Sequence, residues 1–189
     1  MPAICVYCAS VPGIGQPYLD LATEVGTLIA ARGHSLVSGG GRTSMMGAVA
    51  SAVRAGGSTT VGVIPRSLVD SEIADEASTE LHIVETMRDR KALMESRADA
   101  FLALPGGIGT MEELFEIWTS RYLLMHRKPV VLLDAFNFYA PLLGVVERLQ
   151  SAGFVRAEAM AALHVVSDPA SALDAIEAHL VSPDRGGRR

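Results

Sequence analysis

What most constrains this chain is a rhythm. Short, continuously apolar runs alternate with longer stretches whose apolar residues recur at helical spacing. The runs cover residues 3–8, 35–37, 60–65, 81–84, 100–104, 130–133 and 163–166. A strand buried on both faces has no wet side, so it loses the alternation of polar and apolar residues that an exposed sheet shows. Helices are expected between the runs, over 16–32, 44–55, 86–98, 110–124, 138–152 and 169–180. The first carries Leu19, Ala22, Val25, Leu28 and Ile29 on one stripe and meets Gly33, a residue suited to the position just past a helix. Thr86, three residues before Asp89, and Asp168 suit N-caps. Strand–helix alternation of this kind predicts an α/β fold in three layers, a mostly parallel sheet with helices on both faces. Ligands of such sheets bind at the carboxyl ends of the strands, so the loops that follow strands are where chemistry is expected.

A chain of 189 residues fits a single domain. We read it as residues 1–181, with a frayed tail at 182–189. The polar stretch 66–80 reads as a lid or rim. The net charge of −5 lacks the basic stripe of a nucleic-acid binder. Mean hydropathy is +0.30, too apolar for disorder, yet no apolar run reaches the ~20 residues of a membrane helix. The N-terminus enters an apolar strand with no basic region before it, so a cytoplasmic protein is expected. Cys5 and Cys8 have C-x-x-C spacing. However, Val6 and Tyr7 continue a strand rather than open a helix, and no further Cys or His clusters with them, so two reduced thiols are expected. The five histidines are scattered, which leaves no metal site in view, and no cofactor is expected.

Two loops are rich in glycine. Gly39-Gly40-Gly41 follows the second strand and Pro105-Gly106-Gly107-Ile108-Gly109-Thr110 follows the fifth, each just before a helix. Glycine lets backbone approach an anion closely, and the free amides of a helix start, backed by its dipole, attract negative charge. Two such loops predict a phosphate held between two helix N-termini, with Thr110 adding a hydroxyl and capping its helix. Neither loop is followed by the G-K-[ST] of a P-loop, and neither has the spacing of a dinucleotide site, so a mononucleotide fits better. Glu112 and Glu113 open the helix after the second loop. Successive helical residues point ~100° apart, so one can face solvent and the other the pocket. Arg88, Arg90 and Lys91 start another helix, where the dipole disfavours cations, and that mismatch hints at an acidic or anionic partner.

These motifs resemble those of a known family. Pro105–Glu113, P-G-G-I-G-T-M-E-E, matches the P-G-G-x-G-T-x-x-E signature of the Lonely Guy family. Met87-Arg88-Asp89-Arg90-Lys91 resembles its M-x-x-R-K motif, and Gly39–Gly47 resembles its G-G-G-x-x-G-L-M-G loop. The resemblance spans nearly the whole chain. It implies a Rossmann-like fold, a homodimer, and hydrolysis of cytokinin riboside 5′-monophosphates. It also implies that Arg90 and Glu113 form the catalytic pair, and that Lys91, Gly107, Gly109, Thr110 and Thr119 line the nucleotide site. Glu72 would contact substrate and Ser10 would lie near the phosphate. The sequence departs from the pattern at Ala9, Val11 and Ser44, positions that bear on phosphate-loop geometry.

The expected reaction cleaves the N-glycosidic bond of a purine nucleoside 5′-monophosphate, AMP included, to free base and ribose 5-phosphate. A carboxylate below the ribose would stabilise an oxocarbenium-like transition state or direct water, and Glu113 fits that task. Arg90 could orient Glu113, hold a ribose hydroxyl or meet the leaving base. Relatives labelled lysine decarboxylases raise a second chemistry, but pyridoxal phosphate needs a Schiff-base lysine. The lysines are Lys91, beside Arg90, and Lys128, before a proline at a strand start. The rival from another class is a non-catalytic nucleotide-binding or carrier module of the same superfamily. Retention of both Arg90 and Glu113 favours an enzyme.

Overall fold

Each apolar run becomes a strand. The computed structural model describes residues 1–181; the tail expected at 182–189 lies outside the described residues. The strands are β1 (Ala3–Tyr7), β2 (Ser35–Ser38), β3 (Thr60–Pro65), β4 (Glu80–Val84), β5 (Ala100–Ala103), β6 (Val130–Leu133) and β7 (His164–Val166). The helices are α1 (Gln16–Ala31), α2 (Ser44–Ala55), α3 (Met87–Arg97), α4 (Ile108–Tyr122), α5 (Ala140–Ser151), α6 (Ala157–Ala161) and α7 (Pro169–Val181). One parallel sheet runs in the order β4-β3-β2-β1-β5-β6-β7. Central β1 sets Cys5 opposite Val37 of β2 on one side and Phe101 of β5 on the other.

Side chains of β1 alternate between two cores, as a period of two requires. Ile4 and Val6 pack with Val25, Ile29, Met45, Val49 and Ile176 from α1, α2 and α7. Cys5 and Tyr7 pack with Met94, Leu114, Ile117 and Val146 from α3, α4 and α5. This is the expected three-layer α/β sandwich. The edge strands β4 and β7 are partly exposed, and β4 carries Glu80 and His82; the five inner strands are the dry ones.

The local signals are met at several helix ends. Gly33 closes α1 in a Schellman turn, with its N–H on Ala30 O (3.0 Å) and the His34 N–H on Ile29 O (2.9 Å). Thr86 and Asp89 form a reciprocal capping box on α3. Asp168 accepts from the Ser171 amide at 2.9 Å. One expectation is corrected: α4 starts at Ile108 with Gly107 as its N-cap, so Thr110 is not a cap but the third helical residue. Its side chain packs over Gly106, where a Cβ would lie 2.1 Å from Thr110 Oγ1. Helix α6 was not expected, since five residues are too few to show a period.

The chain runs outward from β1 to β4 and then returns across β1 to β5, β6 and β7. The order therefore reverses between β1 and β5, and a crevice opens outside their carboxyl ends. Both glycine loops end there.

Candidate active site

Arg90 is the best-held side chain at this edge. It stands in the first turn of α3 and is 4% exposed. Its Nε donates to Val63 O of β3 (3.1 Å), and its Nη2 donates to Gly39 O (2.8 Å) and Glu72 Oε2 (3.2 Å). The guanidinium needs a slot, and the first glycine loop supplies it. A Cβ on Gly39 would sit 1.9 Å from Arg90 Nη2, so nothing larger than glycine fits. Gly40 turns with φ +76° against β3, where a Cβ would meet Val63 N at 2.9 Å.

The first loop is packed closely against its neighbours. Its amides point inward: Gly40 to Ser38 Oγ (3.4 Å), Gly41 to Met46 Sδ (3.2 Å), and Arg42 to Glu72 O (3.2 Å) and Ile73 O (2.9 Å). In the first turn of α2 the Met46 amide is taken by Ala9 O at 3.3 Å. Gly39 thus makes room for Arg90, Gly40 for β3 and Gly41 for Glu72. Ser44, where the family pattern has glycine, has a left-handed backbone (φ +53°), a conformation that strains a serine.

The second loop is different. Gly107 and Gly109 face open space. The first intrahelical bond of α4 runs from the Met111 amide to Gly107 O (3.0 Å). The earlier amides of that turn, at Ile108, Gly109 and Thr110, have no carbonyl one turn behind them, so they form the anion-ready end. The β1 loop is tied to it by the Ala9 amide on Pro105 O (3.2 Å), and Ser10 O accepts from Thr43 Oγ1 (2.8 Å). Beside the loop an apolar pocket of about 220 Å³ lies between Val11, Tyr18, Met45 and Phe138.

Glu112 and Glu113 diverge as helix geometry demands. Glu112 is turned outward, and with Glu116 (2.8 Å) it holds Lys91 in a bridge between α4 and α3. Glu113 turns inward, partly buried. Burial pushes its carboxyl up to about 7. Arg90 pulls the other way, while the negative charges of Glu112 and Glu72 push further up. The basic start of α3 is thereby explained: Arg90 serves Glu72 and the loops, and Lys91 serves α4.

Arg90, Glu72 and the first loop are therefore in contact, with Glu113 within reach of the Arg90 and Glu72 charges and the second loop and Ser10 at their flank. Thr119 stands apart from this cluster. It lines an apolar groove of about 680 Å³ between α4, α5 and α6, with Phe115, Leu149 and Phe154. Cys5 and Cys8 are free and buried in opposite cores, and burial pushes both thiols far up, away from thiolate chemistry. Trp118 donates Nε1–H to Ala159 O (2.6 Å), a packing role. Among the described residues no group of three or more His, Cys, Asp or Glu is placed to hold a metal. Sequence reading missed Asp75, an acid buried to 3% exposure that accepts from Arg54 at 2.6 Å. Its setting in the polar run 66–80 gave no sign of burial.

A doubly wound sheet with an inward glutamate, a buried arginine and an open helix N-terminus at its switch point defines an α/β protein fit to hold a small anionic ligand. Comparison with known proteins narrows the class. A family profile described as "possible lysine decarboxylase" matches residues 46–176. Over 172 residues the chain is 49% identical to the cytokinin riboside 5′-monophosphate phosphoribohydrolase of Mycobacterium tuberculosis, covering 91% of each chain. It is 46% identical over 156 residues to the rice (Oryza sativa subsp. japonica) enzyme of that name, LOG, covering 82% of this chain and 64% of that one. Among solved structures it superposes on the Moco carrier protein of Chlamydomonas reinhardtii with a TM-score of 0.72, covering 95% and 98% of the two chains. At 22% identity that likeness speaks for the fold alone. The chain belongs to the Lonely Guy family.

Proposed function

We propose that this protein hydrolyses the N-glycosidic bond of cytokinin riboside 5′-monophosphates, and of AMP, releasing the free base and ribose 5-phosphate. The observation that carries the reading is Glu113: an inward carboxyl, raised to about 7 by burial, one turn from the open amides of α4 and within reach of the Arg90 charge. The phosphate sits on those amides, and its binding energy places the ribose over the carboxylate. As the C1′–N9 bond breaks, the electron pair leaves with the base and positive charge builds on the sugar. Ionised Glu113 faces that charge and takes a proton from the water whose hydroxide adds to C1′; that proton passes by way of solvent to the departing base, so one water is added across the C1′–N9 bond and Glu113 is left ionised. Arg90 has three of its contacts already fixed by protein. It therefore acts from a set position, holding Glu72 and steadying the charge of Glu113.

Base release followed by chromatography tests this. Glu113→Gln should lower kcat by about 10²–10⁴-fold with nucleotide binding retained. Adenosine should be a far poorer substrate than AMP, because it lacks the anchor. Nucleotide bound by wild type without base release would instead favour the non-catalytic binding or carrier reading. The apolar groove beside Thr119, with Phe154 81% exposed, is the face on which the expected homodimer forms.

A further inference from the structure

Glu72 stands at Arg90 because a strained turn puts it there. Its neighbour Ile73 has φ +50°, a left-handed conformation that a β-branched residue rarely takes. Something must hold the turn against relaxation. Backbone bonds do part of it: the Arg42 amide reaches Glu72 O and Ile73 O, and Gly41 bridges Ala74. The charged anchor is Asp75. Its amide donates to Gly40 O (2.8 Å), and its buried carboxylate accepts from Arg54 Nη1 (2.6 Å), near the end of α2. Asp75 thus joins the strained turn, which it follows in sequence, to the arginine slot through Gly40.

We infer that the Arg54–Asp75 ion pair is a latch that holds the strained Glu72–Ile73 turn closed, so that Arg54 and Asp75 are positioning residues for the Arg90–Glu72–Glu113 cluster. The inference rests on the proposed reaction for its kinetic readout only. Opening the latch lets Ile73 relax and withdraws Glu72 from Arg90. The groups whose charge reaches Glu113 are Arg90 and Lys91 on α3, Glu112 on its own helix and Glu72 on the turn. Of these, Glu72 alone moves. Glu113 then loses a like-charged neighbour and feels Arg90 less neutralised, so the acid limb of its activity moves to lower pH.

The test uses Asp75→Asn and Arg54→Gln, with Arg54→Lys as the conservative partner. Both disruptive variants should lose about 10–10²-fold in kcat/KM, the cost of a displaced group near the chemistry, with the acid limb shifted down. Arg54→Lys should retain most activity. Adding Ile73→Gly to Asp75→Asn should recover much of the loss, since glycine adopts the turn unstrained. A lowered Tm with unchanged kcat/KM and unchanged acid limb overturns the latch, as does failure of Ile73→Gly to rescue. Amide hydrogen exchange separates this from the functional proposal. Exchange at Arg42 and Asp75 should accelerate in Asp75→Asn relative to α1, whether or not wild type releases base; equal exchange overturns the latch by itself.

Discussion

Glu113 couples stability to activity through one proton. In the folded chain its carboxyl titrates near 7, against an ordinary glutamate value near 4.5. The folded state therefore holds a proton that the unfolded chain has lost between those values, and the penalty of the buried charge is absent below about 4.5 and complete above about 7. Glu113→Gln removes the penalty. Its thermal unfolding should show a gain of about 1–3 kcal/mol at pH 8 that fades toward pH 4.5. Activity runs the other way: the ionised form works, so kcat/KM of wild type should climb as pH rises through about 7 and then level off, read from initial rates of base release. Gly39 is the other decisive residue. The added methyl of Gly39→Ala would occupy the space of Arg90 Nη2, only 1.9 Å away. That variant should lose about 2 kcal/mol or more by displacing a buried, hydrogen-bonded charge. Denaturant melts measure it, and base release should fall with it.

At the scale of the element, α3 is the piece to weigh. It is short and polar and buries only Arg90 and Met94, so its place depends on its first turn more than on an apolar stripe. The capping box supplies that hold: the Asp89 amide donates to Thr86 Oγ1 (3.1 Å) and the Thr86 amide to Asp89 Oδ2 (3.1 Å). Thr86→Ala should cost about 1 kcal/mol in an equilibrium melt and loosen Arg90 with it. The Thr86 cap was legible because its residue spacing is a local signal. The slot that Gly39 leaves for Arg90 was not. Glycines that face a phosphate and glycines that make way for an arginine look alike in sequence, and only the partner across space, Arg90 some fifty residues on, tells them apart. Asp75 shows the same limit: an acid in a polar run reads as solvated until Arg54 from another element is seen to cover it.

Across the whole molecule, the apolar runs mark seven strands and their parallel sense, because a sheet whose inner strands have no wet face must be covered on both sides. The switch point between β1 and β5 then gathers loops that lie far apart in sequence. Among the described residues, the groove between α4, α5 and α6 leaves apolar side chains bare. Burying that face against a second copy would explain Phe154 and Leu149 in the open. Light scattering should show a dimer for wild type and a monomer for Phe154→Glu combined with Leu149→Glu, with the fold intact by circular dichroism. The most direct measurement is a crystal structure of Glu113→Gln with AMP bound. Phosphate oxygens should lie on the amides at the start of α4, with residue 113 within contact of C1′. A phosphate seated elsewhere, or residue 113 turned away from the sugar, would contradict the proposed reaction.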